Sequence, residues 1–171
     1  VNAIDIVIFA PVFVWIWGFL GKRNLEPASP YKQAIGLFLL ALGYLVIAVG
    51  VKGIEPTTKV SMMWLLGLYT IHTFGELCLS PIGLSMVNKL SPVKFASLLM
   101  GIWFLSTSAA NKFAGVLSGL YPEAGKPKHF AGFEIATLYD FFMIFVFMSG
   151  AAAVILFFLS KKLLSMMHGV R

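Results

Sequence analysis

The chain has 171 residues, of which 59% are hydrophobic and 12% charged, and its mean hydropathy is +0.90. Ordinary soluble domains carry about 25% charged residues, and a chain this size cannot hide so much apolar surface from water, whereas a bilayer accepts it. That composition excludes a disordered chain and argues against a soluble domain. The net charge of +6 comes from Lys and Arg set singly or in pairs between apolar runs, a pattern that labels membrane topology rather than a nucleic-acid partner.

Five apolar segments follow one another. The first covers about 3–20 and ends in the cluster Gly21-Lys22-Arg23-Asn24-Leu25-Glu26-Pro27. The second covers about 33–51 and stops at Lys52-Gly53-Ile54-Glu55-Pro56. The third, about 61–87, is interrupted by Ser80-Pro81 and followed by the turn Asn88-Lys89-Leu90-Ser91-Pro92. The fourth, about 95–120, ends at Tyr121-Pro122-Glu123, and a polar loop over 124–133 follows. The fifth covers about 135–159 and is closed by Lys161-Lys162. At about 1.5 Å per residue each is long enough to cross a hydrocarbon core of ~30 Å as a helix. The runs are continuous rather than alternating, so strands are not expected. The fold class is therefore an all-α integral membrane bundle.

Counting Lys and Arg by side gives orientation. Lys22, Arg23, Lys32, Lys89, Lys94, Lys161, Lys162 and Arg171 share one side, and Lys52, Lys59, Lys126 and Lys128 the other, with Lys112 left inside a span. The side with eight should be cytoplasmic, which puts the C-terminus inside. The first residues already read as helix, with no initiator Met, basic n-region or cleavage site, so the chain is expected to be a piece of a longer protein. Gly36, Gly43 and Gly50 recur every seven residues along one face of the second helix, and Gly115 and Gly119 form a GxxxG pair on the fourth. Both read as helix-packing surfaces. Cys78, the one cysteine, has no disulfide partner or metal-ligand spacing and reads as a small packing residue.

Polar residues inside the spans carry the functional signal. Glu76 lies near the middle of the third span. A carboxylate there costs several kcal/mol unless it is paired, hydrated or protonated, so it marks a functional site, with a structural ion pair as the alternative. Pro81 has no N–H, which frees the Leu77 carbonyl beside Glu76, and Ser80 falls on the Glu76 face one turn on. Such interrupted helices build midplane sites in transporters, though a plain proline kink gives the same sequence. His72 is one turn before Glu76 and could tune it; a bond to a neighbouring helix or a place at the outer boundary is the favoured reading. On the fourth span Trp103 shares a face with Thr107, suited to an apolar pocket or to packing. Lys112 is expected to snorkel outward. In the first span Asn2 caps the helix or faces a cavity, Asp5 sits in the favourable first turn and reads as interfacial, and Trp15 and Trp17 read as belt residues. No nucleotide loop, zinc spacing or hydrolase elbow occurs, so nothing supports an enzyme or a metal site.

The stretch Gly75-Glu76-Leu77-Cys78-Leu79-Ser80-Pro81-Ile82-Gly83-Leu84-Ser85 resembles the signature of the proton-dependent oligopeptide transporter family of the major facilitator superfamily. Asn2-Ala3-Ile4 with Ala10-Pro11-Val12-Phe13 and Trp15 to Trp17 is similar to that family's eighth core helix. Gly101-Ile102-Trp103-Phe104-Leu105 with Ala109, Asn111, Ala114 and Gly115 is similar to the eleventh. The five spans would then be core helices eight to twelve, part of the C-terminal six-helix bundle of a transporter whose N-terminal half is absent from this chain. The charge-derived orientation is the one this register requires.

The resemblance implies an alternating-access symporter of di- and tripeptides driven by protons, with no other cofactor, in a bilayer that is expected to be the bacterial inner membrane. It implies that Glu76 receives the peptide amino terminus, that Asn2 hydrogen-bonds nearby and that Trp103 walls the side-chain pockets. Ser80 and Thr107 join them as substrate-binding candidates, and Pro81 and Pro92 become hinges of an inner gate. A cation for the peptide carboxylate must come from the absent half. Ala3 and Ala110 stand where the family often has proline and glycine, and Asp5 is a polar departure at an apolar position. The same fold moving another small solute, and a non-transporting membrane scaffold, are the alternatives.

Overall fold

The computed structural model describes residues 2–54, 58–122, 128–130 and 132–167. Glu55, Pro56, Glu123, Lys126 and Arg171, used above for turns and charge counting, lie outside the described residues.

Five long helices are present: α1 (Asn2–Lys22), α2 (Ser29–Gly50), α3 (Met62–Leu90), α4 (Ala96–Ser118) and α5 (Leu138–Met166). The protein is an all-α integral membrane protein. By length and composition α1, α2, α4 with its preceding turn, and α5 can each cross a bilayer. At 29 residues α3 is long enough too, but polar side chains set it apart from that group.

Helix α2 is the keystone, packing along both α3 and α5, while α1 and α4 lean on α3. Small residues make this possible. A Cβ on Gly36 would lie 2.8 Å from the Gly75 carbonyl, one on Gly75 would lie 2.9 Å from the Gly36 carbonyl, and one on Gly50 would lie 2.5 Å from the Trp64 ring. A Cβ on Gly43 would run into His72. The seven-residue glycine strip thus faces α3 along its length, backbone to backbone at Gly36 and against the His72 and Trp64 rings at Gly43 and Gly50. Cys78 is buried in the same seam. Toward α5, Tyr44 stacks on Phe145 with ring centroids 5.1 Å apart, and Ile47, Val51, Leu68 and Leu138 close an apolar core at that end.

Four features depart from the sequence reading. Helix α3 is not interrupted at Ser80-Pro81 but continues as α-helix to Leu90. Losing one N–H removes a single ladder bond, which a long, packed membrane helix tolerates. The Gly115/Gly119 pair meets no helix among the described residues: Gly115 has open space around it and Gly119 forms the turn that ends α4. Helix α5 runs past Lys161 and Lys162 to Met166, so the charges lie on it rather than closing it. The loop expected to lack strands holds a small antiparallel hairpin, Lys128–Phe130 (β1) with Phe133–Ile135 (β2). Strands of three residues are too short to show alternation in the sequence.

The hairpin displaces the start of α5 to Leu138, where a capping box fixes it. Thr137 Oγ1 accepts from the Asp140 N–H at 3.1 Å, and an Asp140 carboxylate oxygen accepts from the Thr137 N–H at 3.0 Å. Thr137→Val should therefore destabilise the full-length protein by about 1 kcal/mol, read as a lower thermal midpoint in detergent. An unchanged midpoint would show that the box contributes nothing.

Candidate binding site on α1 and α3

Helix α1 is held against α3 by an aromatic cluster: Phe9 meets Phe74 edge-on at 4.8 Å and Phe13 meets it at 5.6 Å. This docking brings the first turn of α1 to the polar middle of α3. Asn2 Nδ2 donates to Glu76 Oε2 at 3.1 Å, and Thr73 Oγ1 donates to Asn2 Oδ1 at 2.8 Å. Thr73 is fully buried and also lies 2.8 Å from the Tyr69 carbonyl, so its one hydrogen serves two acceptors in turn. The Asn2 amide orientation is fixed by its neighbours, since only this way does nitrogen face the carboxylate and oxygen the hydroxyl. Glu76 is half-buried, and among the described residues no cation pairs with it. The arrangement is an oriented carboxylate with spare acceptor capacity, able to receive a cationic donor.

The remaining candidates do not converge on that trio. Ser80 and Pro81 are exposed, and Pro81 lines a polar cleft of about 320 Å³ with Glu26, Lys32, Ser85 and Lys89. Trp103 lies on α3 at Gly83, where a Cβ would strike its ring, and borders a cavity of about 430 Å³ between α3 and α4. Gly83 is seven residues from Glu76, about 10 Å along the helix, so this contact is two turns away from the carboxylate. Thr107 is exposed, and its hydroxyl donates to the Trp103 carbonyl of its own helix at 3.1 Å. Pro92 is exposed and leads into a short 3₁₀ turn, Val93–Phe95, between α3 and α4.

His72 turns away from Glu76. Its Nε2 is 3.2 Å from the Leu40 carbonyl of α2, and its ring meets Tyr44 edge-on at 4.5 Å. Sequence reasoning missed Thr73, because a threonine that bonds its own helix gives no unusual signal. It also read Lys32 as a topology label. Lys32 is buried, paired with Glu26 and placed 4.8 Å over the Trp17 ring. Trp17 is thereby a packed residue rather than a free belt residue, whereas Trp15 is exposed and stacks on Phe19 at 5.6 Å. Among the described residues no group of His, Cys, Asp or Glu is arranged to hold a metal.

The family model described as "POT family" matches residues 1–135. A peptide transporter of Yersinia enterocolitica is 37% identical over 121 residues, covering 70% of this chain and 24% of the relative. A di-/tripeptide transporter of Lactococcus lactis is 31% identical over 170 residues, covering 99% of this chain and 31% of the relative. An uncharacterized transporter of Bacillus subtilis is 38% identical over 130 residues, with 75% and 26% covered. The chain thus spans about a quarter to a third of the relatives it matches. Among solved structures, a mutant of the peptide transporter POT in complex with alafosfalin superposes with a TM-score of 0.78 at 34% identity, covering 94% of this chain and 30% of that one. A POT family transporter in complex with a thioalcohol-conjugated peptide gives 0.77 at 30% identity, with the same coverage.

Proposed function

The chain belongs to the POT family of membrane transporters, and from that premise we propose that it forms part of a carrier that moves di- and tripeptides together with protons by alternating access. The observation that carries this reading is the Asn2–Glu76–Thr73 network, an oriented carboxylate at the middle of the 29-residue helix α3 that pairs with no cation among the described residues. A free peptide is a zwitterion. Glu76 takes its ammonium group, and Asn2, already donating to Glu76, uses its second N–H or its carbonyl on the adjacent peptide unit. The cation for the peptide carboxylate belongs to the N-terminal half.

Trp103 and the apolar side chains around it wall a side-chain pocket, and Met residues such as Met86 supply adaptable surface there. Ser80 and Thr107 offer hydroxyls on the exposed faces of α3 and α4. Helix α4 touches no other long helix than α3 among the described residues, and the close approaches of the α2 glycine strip to α3 end at Leu79, so the part of the α3–α4 hairpin beyond that seam is the part that swings. Pro81 and the Ser91-Pro92 turn are its hinges. The eight-to-four distribution of Lys and Arg supports a cytoplasmic hairpin turn and C-terminus, in a membrane we read as the bacterial inner membrane.

The test is uptake of labelled di-alanine by proteoliposomes of the full-length protein, with and without an inward proton gradient. Gradient-dependent accumulation is expected. Uptake that ignores the gradient removes proton coupling, and no uptake of any di- or tripeptide favours another cargo or a scaffold. Thr73→Val, close in shape but without the hydroxyl, should weaken peptide binding about two- to tenfold, the net worth of one hydrogen bond. Wild-type affinity in that variant would mean that Asn2 needs no support from Thr73.

A further inference from the structure

Helices α2 and α5 run antiparallel. Tyr31, at the start of α2, meets Phe157 near the end of α5 with ring centroids 5.5 Å apart, and Tyr44 stacks on Phe145 further along. Between the two helices lies a groove of about 430 Å³. Its floor is made of small, buried residues, Ala34 and Ala153, and its walls of Phe38, Val154, Phe157 and Phe158, each more than half exposed. A small floor between bulky apolar walls is a slot of the shape and chemistry of a hydrocarbon chain. The slot belongs to α2 and α5, whereas the Asn2–Glu76 contact belongs to α1 and α3.

The groove has a charged end. On α5 its residues form two stripes of four-residue spacing, Ala153 with Phe157 and Val154 with Phe158. The next positions on these stripes are Lys161 and Lys162, both exposed. Helical side chains lean toward the helix N-terminus, which carries both lysines over the end of the groove. Lys161 follows Leu138 by twenty-three residues, about 35 Å along α5, which sets the pair at the headgroup boundary of a ~30 Å hydrocarbon core. Neither α2 nor the part of α5 beyond Asp140 contains an acid, and Glu26, in the loop before α2, is engaged by Lys32. A topology label accounts for the two lysines but not for the slot that leads to them.

We infer that this groove binds an anionic phospholipid of the leaflet on the lysine side, with one acyl chain between α2 and α5 and the phosphate at Lys161 and Lys162. Apolar walls alone accept any acyl chain; the paired ammonium groups favour a headgroup with net negative charge, as basic sites between membrane helices do. The same charges argue against a second copy of the chain as the occupant. Two copies related by a two-fold axis along the membrane normal would bring Lys161 and Lys162 to the same depth in both, like charge facing like charge.

The experiment is native mass spectrometry of the delipidated full-length protein, titrated with palmitoyl-oleoyl phosphatidylglycerol, with palmitoyl-oleoyl phosphatidylcholine, and with glycerol 3-phosphate, a headgroup without chains. The wild-type protein should hold one phosphatidylglycerol about tenfold or more tightly than phosphatidylcholine or glycerol 3-phosphate. The double variant Lys161→Gln/Lys162→Gln should lose that preference. Val154→Trp, which fills the groove from an exposed wall and leaves its buried floor alone, should lose the lipid. Lys89→Gln/Lys94→Gln removes the same charge from exposed positions elsewhere on that side and should keep it. No tightly held phosphatidylglycerol, equal binding of the two lipids, or glycerol 3-phosphate bound as tightly as the lipid overturns the inference. So does an equal loss in the two lysine pairs, which is general surface charge, or a lipid unaffected by either groove variant. A dimer that Val154→Trp dissociates overturns it in favour of a second copy.

Discussion

Replacing Glu76 by Gln should reduce uptake of free di- and tripeptides about ten- to a hundredfold in proteoliposomes of the full-length protein. The magnitude follows from the chemistry. A hydrogen bond to a charged partner contributes about 1.5–3 kcal/mol net, and each 1.4 kcal/mol is a factor of ten. Gln keeps the length and shape of the side chain, and its amide oxygen still accepts from Asn2 Nδ2, which now stands 3.1 Å from Glu76 Oε2. What disappears is the negative charge that the peptide ammonium meets. The loss should appear in affinity as well as in rate. A variant that transports di-alanine at the wild-type rate and affinity would remove Glu76 from the amine site and leave it a structural acid.

The second large effect concerns the seam that holds α3 in place. Gly36→Ala should lower the thermal midpoint of the full-length protein in detergent by about 2 °C. Overpacking costs typically about 1–3 kcal/mol, and each kcal/mol shifts the midpoint of a protein about three to four times the length of this chain by about 1 °C. The new methyl would sit 2.8 Å from the Gly75 carbonyl and 2.7 Å from Leu79. The carbonyl is backbone and cannot rotate out of the way, so the helices themselves must part. Gly75 directly precedes Glu76, and the same displacement should weaken peptide binding. Gly67→Ala is the internal control: it is on α3, and its Cβ would meet nothing closer than Val46 at 3.8 Å, an ordinary contact. Its midpoint should stay or rise, because alanine is the better helix former. Equal losses in the two variants would contradict a specific close approach at Gly36.

How much of this was readable beforehand depended on which physical signal each residue gave. The helices were legible, because apolar runs of membrane length have few alternatives, and so was the glycine strip, whose seven-residue spacing marks one face. Glu76 stood out through the cost of a carboxylate in hydrocarbon. Its joining to Asn2, seventy-four positions away, rested on resemblance to known transporters and not on anything in the local sequence. Other features were hidden because their signals are ordinary. Thr73 looks like any helix threonine until Asn2 is placed beside it. Lys32 counts as a loop charge until Trp17 and Glu26 enclose it. Pro81 promised a break, yet α3 passes through it, since neighbouring contacts outweigh one missing bond. Asp5 looked interfacial because a first-turn acid is favourable there; its closed-off oxygen becomes apparent once α1 lies on α3.

The most direct measurement compares binding of di-alanine and N-acetyl-di-alanine to the full-length protein and to its Glu76→Gln variant. Acetylation removes the ammonium charge and leaves the rest of the peptide intact. If Glu76 holds the amino terminus, the wild-type protein binds the free peptide about tenfold or more tightly than the blocked one, and Glu76→Gln binds the two alike. A preference for the free amine that persists at full strength in Glu76→Gln would contradict the assignment and place the amine site elsewhere.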